Sequence, residues 1–267
     1  NKISGGIRMF SEKKRFQDPR ATHFLVTGGG SGIGKAIAKR LLVAGATVVI
    51  AGRHQKKLLD AADEISSDRL FTMELDISDC GRIPEKLIEA ESLSGRLDGF
   101  VNAAALGGNQ AFGRGFEPWD ITPDEWDRLS DINFKGAFFM MRDEIDFLLK
   151  RGRPGNILNI ASNAACMGVV GSYGAAKTAV IRWTRSLGNR YGKNGIVING
   201  IAPGATLTDM ISGYARSADQ PYPRHALGRF ILPEEIAELA AYLLSEAGEI
   251  ICGHTVVADA GDNCSVY

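Results

Sequence analysis

The sequence predicts a doubly wound α/β fold: a parallel sheet of about seven strands with helices packed on both faces. Three observations carry this expectation. Strand-sized and helix-sized segments alternate from residue 23 to residue 258. The strand-sized runs lack a polar face, as in Thr47–Ala51, which suits a sheet covered on both sides. A cluster of glycines joins the first strand to the first helix.

His23–Thr27 is a short apolar strand that runs into those glycines. Gly32–Ala44 repeats apolar side chains at helical spacing (Ile33, Ile37, Ala38, Leu41, Leu42), and Gly45 stops it. Thr47–Ala51 is β-branched and reads as the second strand. Gln55–Ser66 reads as a helix, Leu70–Leu75 as a strand, Arg82–Leu93 as a helix and Phe100–Ala104 as the fourth strand. Thr122–Leu149 reads as one long helix, with Thr122 as N-cap and Glu125 at capping-box spacing. Asn156–Ala161 is the fifth strand, Ser172–Tyr191 a second long helix and Ile196–Ile201 the sixth strand. Pro203–Phe230 shows no period. Pro233–Ser245 is a helix with proline in its first turn, and Thr255–Ala258 is the last short strand. No repeat, low-complexity run or linker divides residues 21–267, which read as one domain behind a polar tail over residues 1–20.

Composition excludes several function classes. The chain has 267 residues, 45% of them hydrophobic and 23% charged, which excludes a disordered or fibrous protein. Basic and acidic residues balance at 31 each, so there is no overall field to hold nucleic acid or an anionic membrane. No apolar run approaches the ~18 residues of a membrane span, and the tail lacks the apolar core of a signal peptide. Cys80, Cys166, Cys252 and Cys264 form no CxxC pair and no metal-ligand spacing. They read as reduced thiols, so the expected location is cytoplasmic and no metal is expected.

The glycine loop is Thr27-Gly28-Gly29-Gly30-Ser31-Gly32-Ile33-Gly34. Glycines there permit a tight turn and the close approach of a phosphate, and the helix that follows offers free N–H groups and partial positive charge. Its spacing, Gly28-x-x-x-Gly32-x-Gly34, is similar to the loop of the short-chain dehydrogenase/reductase family. The resemblance extends over nearly all of residues 22–261 and implies a Rossmann-type domain that binds a nicotinamide dinucleotide.

Tyr173-Gly174-Ala175-Ala176-Lys177 sets a tyrosine and a lysine four residues apart, on one face of a helix. Taken alone the pair also suits a partly buried tyrosine beside a surface lysine. In context, Asn159-Ile160-Ala161-Ser162 resembles the family strand that carries a catalytic serine, and Asn133 in Asn133-Phe134-Lys135-Gly136 matches its asparagine. The resemblance implies that Tyr173 exchanges a proton with the substrate oxygen and that Ser162 hydrogen-bonds that oxygen. It implies that Lys177 lowers the Tyr173 pKa and holds the nicotinamide ribose, and that Asn133 supports a water relay.

The remaining cofactor contacts follow from position and resemblance. Gly28, Gly30, Ser31, Gly32, Ile33 and Gly34 form the phosphate loop. Strand two ends Ala51-Gly52-Arg53, with no carboxylate for the ribose hydroxyls and a guanidinium suited to a 2′-phosphate, which favours NADP(H) over NAD(H). Asp76 and Ile77 resemble the adenine contact, and Asn102, Ala103 and Ala104 resemble the segment after strand four. Pro203, Gly204, Thr206 and Thr208 resemble the segment that meets the nicotinamide. Specificity is expected in residues 205–230, in Leu106–Trp119, and at Asn163, Met167 and Val169, with Arg114 or Arg216 as candidates for an acidic group. The implied reaction is hydride transfer between NADP(H) and a small-molecule carbonyl or secondary alcohol. Two rival readings are a 3-oxoacyl-thioester reductase and a non-catalytic NADP(H)-binding sensor. In similar proteins the two long helices make subunit contacts, which implies a homotetramer.

Overall fold

The computed structural model describes residues 22–107, 118–167, 171–211, 217 and 220–262. The tail over residues 1–20 lies outside these, as do the stretch from Gly108 to Arg114, Val169, Tyr214, Arg216 and Cys264. Seven strands form one parallel sheet: β1 (His23–Thr27), β2 (Thr47–Gly52), β3 (Leu70–Glu74), β4 (Gly99–Asn102), β5 (Gly155–Ile160), β6 (Ile196–Pro203) and β7 (Thr255–Ala258). Their order is β3-β2-β1-β4-β5-β6-β7. Leu25 of β1 sits opposite Val49 of β2 and Phe100 of β4. The winding reverses between β1 and β4, which opens a crevice at the carboxyl ends of those strands.

Among the described residues seven α-helices cover the sheet: α1 (Gly32–Val43), α2 (Gln55–Ile65), α3 (Ile83–Ser94), α4 (Pro123–Ser130), α5 (Ala137–Lys150), α6 (Ser172–Tyr191) and α7 (Pro233–Leu243). Side-chain alternation sends Phe24, Val26, Val48 and Ile50 to one face, against Ile37 and Leu41 of α1 and Ile236 and Ala240 of α7. Leu25, Val49 and Phe100 go to the other face, against Leu87 of α3 and Met140 and Leu148 of α5. Each such large side chain stabilises the fold by roughly 1.5–3 kcal/mol when fully buried.

The structure corrects one element. The long helix expected over Thr122–Leu149 is α4 and α5 joined by a π-helical turn at Asp131–Gly136. A 3.6-residue period does not register one extra residue in a turn. Gly136 sits hard against the chain after β3, where an added Cβ would lie 2.7 Å from the Ile77 carbonyl oxygen. The cap is as expected: Glu125 N–H donates to Thr122 Oγ1 at 3.3 Å, and Thr122 N–H donates to Glu125 Oε2 at 2.9 Å. Pro203–Phe230, expected to be irregular, contains a short turn at Asp209–Ile211 and single bridges, Thr206 to Ile231 and Pro221 to Arg229.

Candidate active site

A cleft of about 840 Å³ runs across the carboxyl end of the sheet. At one end the glycine loop forms its floor. Gly28 and Gly32 have φ of +68° and +50°, the left-handed region that favours glycine. A Cβ on Gly28 would stand 2.8 Å from the Ala103 carbonyl oxygen, and one on Gly34 would press into the Gly28 carbonyl. The loop, α1 and the end of β4 therefore interlock through bare backbone. Ser31 precedes α1 without its hydroxyl capping the helix, so the first turn keeps its N–H groups for an anion. Gly28, Gly30, Ser31, Gly32, Ile33 and Gly34 all line the cleft. This donor set fits a dinucleotide pyrophosphate.

Further along stand Ser162, Tyr173 and Lys177. Ser162 follows β5 directly, and its Oγ accepts from Ala164 N–H at 3.2 Å. Tyr173 and Lys177 share one face of α6, and Ser162 and Tyr173 line the same wall of the cleft. Burial pushes the phenol pKa up, and the nearby Ser162 hydroxyl pulls it back. Lys177 is buried and donates to the Ile160 carbonyl at 3.0 Å, its Nζ lying 5.7 Å from the Tyr173 ring centroid. Burial lowers its pKa to about 8. The lowering of the tyrosine pKa by Lys177, expected from the sequence, is not seen in the chain alone: burial is the largest influence on both groups. The geometry still brings a hydroxyl, a phenol and an amine to one wall.

Most of the remaining expected cofactor residues also line the cleft. Arg53 stands exposed at its rim, and Asp76 and Ile77 form the wall after β3. Asp76 Oδ1 accepts from Ser78 N–H and Oγ at 2.9 and 2.7 Å. Ala103, Ala104, Pro203, Gly204, Thr206 and Thr208 complete the line.

Two residues are placed otherwise. Asn102 turns beneath the cleft floor, where its Nδ2 donates to Glu144 Oε2 at 2.9 Å and to Asn159 Oδ1 at 3.0 Å. It organises a buried polar seam that Asn159 continues to Thr184 Oγ1 at 3.0 Å. Asn133, in the π-helical turn, spends both ends of its amide on Leu106: Oδ1 accepts from the N–H at 3.0 Å and Nδ2 donates to the carbonyl at 2.8 Å. Its side chain holds the mouth of the Leu106 loop, with one N–H and one lone pair beyond these two bonds.

Sequence reasoning missed several polar residues of the cleft, among them four at its two ends. His54 and Lys57 join Arg53 on the cleft wall, and Lys57 Nζ reaches Asp209 Oδ2 across the cleft at 3.7 Å. Their signal was present, since Lys57 lies one helical turn past Arg53. At the other end Arg224 and Asp262 line the cleft beside Asn163 and Met167. Nothing in their spacing announces that meeting. Among the described residues no cluster of side chains could hold a metal ion, and no helix is long and apolar enough to cross a membrane.

A family model described as enoyl-(acyl carrier protein) reductase matches residues 28–263. A 2,5-dichloro-2,5-cyclohexadiene-1,4-diol dehydrogenase from Sphingobium indicum is 35% identical over 246 residues, covering 89% of this chain and 95% of its own length. A 3-oxoacyl-(acyl-carrier-protein) reductase from Aquifex aeolicus is 30% identical over 243 residues, covering 89% and 95%. The crystal structure of a 3-ketoacyl-(acyl-carrier-protein) reductase from Brucella melitensis complexed with NADH superposes with a TM-score of 0.80 at 28% identity, covering 91% of this chain and 98% of that one.

Proposed function

The chain belongs to the short-chain dehydrogenase/reductase family of nicotinamide-dependent oxidoreductases, and on that premise we propose that it interconverts a small-molecule ketone and secondary alcohol with NADP(H), using Ser162, Tyr173 and Lys177. One observation carries the reading: the Ser162 hydroxyl, the Tyr173 phenol and the Lys177 amine line the same cleft as the glycine loop. When bound, the nicotinamide supplies or takes the hydride. Tyr173 gives its phenolic proton to the carbonyl oxygen during reduction and takes it back during oxidation. Ser162 donates to that oxygen as charge develops on it. Lys177, fixed by the Ile160 carbonyl, places positive charge behind the phenol. Asn133 acts as a positioning residue through Leu106.

The cofactor choice rests on the rim. No carboxylate directly follows β2 in the chain, while Arg53 stands there with Lys57, itself 3.7 Å from Asp209, close by. That pair suits a ribose 2′-phosphate better than free hydroxyls. Subunit contacts are proposed on the aromatic surface of α4 to α6, where Trp183 packs edge-on against Phe134 and Phe138 at 4.9 and 5.1 Å. Phe134 and Trp126 there each leave 44% of their surface exposed, which suits burial in a homotetramer.

The test is oxidation of NADPH and NADH against ketones, hydroxyketones and acetoacetyl thioesters. Tyr173→Phe serves as the comparison, and fluorescence titration follows cofactor binding. Loss of general acid catalysis predicts a fall in kcat of about 10²–10⁴-fold. Retained turnover in Tyr173→Phe removes the proton-transfer role. Cofactor binding without turnover of any carbonyl makes the chain a sensor. Activity confined to the thioesters makes it a 3-oxoacyl reductase.

A further inference from the structure

We infer that Asn163, Asp262 and Arg224 form a subsite for a second hydroxyl of the substrate, so that the enzyme prefers diols and hydroxyketones to their singly oxygenated counterparts. The inference rests on the oxidoreductase reading above and specifies its substrate.

The three side chains meet at the cleft end that holds Ser162 and Tyr173. Asn163 Nδ2 donates to Asp262 Oδ2 at 3.2 Å. Arg224 reaches the same carboxylate through Nε at 3.4 Å and Nη2 at 3.5 Å, and its Nη2 lies 3.8 Å from Met167 Sδ. Charge-assisted hydrogen bonds usually close to about 2.7–2.9 Å. These contacts are looser, and the Arg224 side chain is 57% exposed. The guanidinium stands largely in solvent, so a ligand can rearrange its contact with Asp262 at small cost. Asp262 is fixed by comparison: its side chain is 10% exposed, and its N–H donates to the Asp259 carbonyl at 3.2 Å.

Donor and acceptor chemistry selects the ligand. The carboxylate only accepts, while the guanidinium and amide N–H groups only donate. A substrate carboxylate would compete with Asp262 for Arg224, and an ammonium would meet Arg224 itself. A neutral hydroxyl answers both sides, donating to Asp262 and accepting from Arg224 or Asn163. Asn163 follows Ser162 and both line the cleft, so one small substrate can meet both. A substrate lacking the second hydroxyl leaves Asp262 with Asn163 and Arg224 and gains none of that hydroxyl's bonds to these groups.

The experiment measures kcat/KM for matched alcohols with NADP⁺ and with NAD⁺: butane-2,3-diol against butan-2-ol, and cyclohexane-1,2-diol and cyclohexane-1,4-diol against cyclohexanol, each as a mixture of stereoisomers. At least one diol is expected to exceed its mono-alcohol by about 10–100-fold. Asp262→Ala should shrink that ratio to within about 3-fold of unity. Arg224→Gln alters an exposed side chain, keeps the test open if Asp262→Ala does not fold, and should lower the ratio at least about 3-fold. NADPH titration reports the fold of each variant. Equal kcat/KM for diol and mono-alcohol in the native chain overturns the inference and leaves the oxidoreductase reading standing. A ratio unchanged in both variants does the same. Turnover of no alcohol with either cofactor, with NADPH still bound, overturns the oxidoreductase reading itself.

Discussion

At the nucleotide end of the cleft the walls are backbone: Gly28, Gly32 and Gly34 press against Ala103, Thr208 and one another with no room for a side chain. At the substrate end the walls are side chains, Asn163, Arg224 and Asp262, held by contacts of 3.2–3.5 Å. Such walls resist added side chains, because a Cβ on Gly28 or Gly34 would overlap neighbouring backbone. Side-chain walls can exchange partners while the sheet beneath stays as it is. One fold can thus keep a cofactor and change its substrate.

The sharpest way to break this contrast is Gly34→Ala. The added methyl meets the Gly28 carbonyl and forces the loop away from α1. Overpacking of this kind costs about 1–3 kcal/mol of stability. Losing two charge-assisted hydrogen bonds to the pyrophosphate removes about 3–6 kcal/mol of binding, at least about 100-fold in NADPH affinity. Titration and thermal melting check this together. Near-native NADPH affinity in the variant would show that the nucleotide end is less rigid than its contacts imply.

The next effect lies in the seam beneath both ends. Glu144 is fully buried, Asn102 Nδ2 donates to one of its oxygens, and burial raises its pKa to about 8. An unfolded glutamate titrates near about 4.3. Between these values the folded chain holds a proton that the unfolded chain lacks, so this group makes stability fall as pH rises through the window, with no further change above about pH 8. Glu144→Gln mimics the protonated acid and should flatten that slope, gaining a few kcal/mol near pH 8 and little near pH 5. Urea unfolding at both values measures it. Equal gains at both would mean that Glu144 titrates normally. The seam also ties β4, under the nucleotide, to β5, which leads into Ser162, so the two ends share one support.

What could be read from the sequence divides along the same line. Backbone geometry leaves strong marks: the glycine loop, the strand ends and the Thr122 cap were all legible because glycine and capping residues have few other uses. Side-chain direction leaves none. Asn102 stands where the resemblance expects a cofactor contact, yet its partner Glu144 is 42 residues away and visible only after folding. Asn133 is likewise claimed by Leu106. Arg114 and Arg216, the basic candidates for the substrate end, lie outside the described residues, and Arg224 is an arginine that meets Asp262 there. The π-helical turn escaped because apolar spacing on either side of it still reads as helical.

The smallest expected effect tests whether the rigid end has an adjustable edge. Arg53 lies at the tip of β2, exposed, and among the described residues no carboxylate pairs with it. Its guanidinium can meet a 2′-phosphate without disturbing the loop. Solvent screens that contact, so its loss should cost about 1–1.5 kcal/mol, roughly 10-fold in NADPH affinity. Arg53→Asp also supplies the acceptor that ribose hydroxyls want, so NADH affinity should rise while NADPH affinity falls. Lys57 remains nearby in the variant and limits the reversal. The ratio of kcat/KM for the two cofactors reads both changes at once. A ratio that does not move would transfer the selection to Lys57, one turn into α2, and Lys57→Ala would then carry the shift.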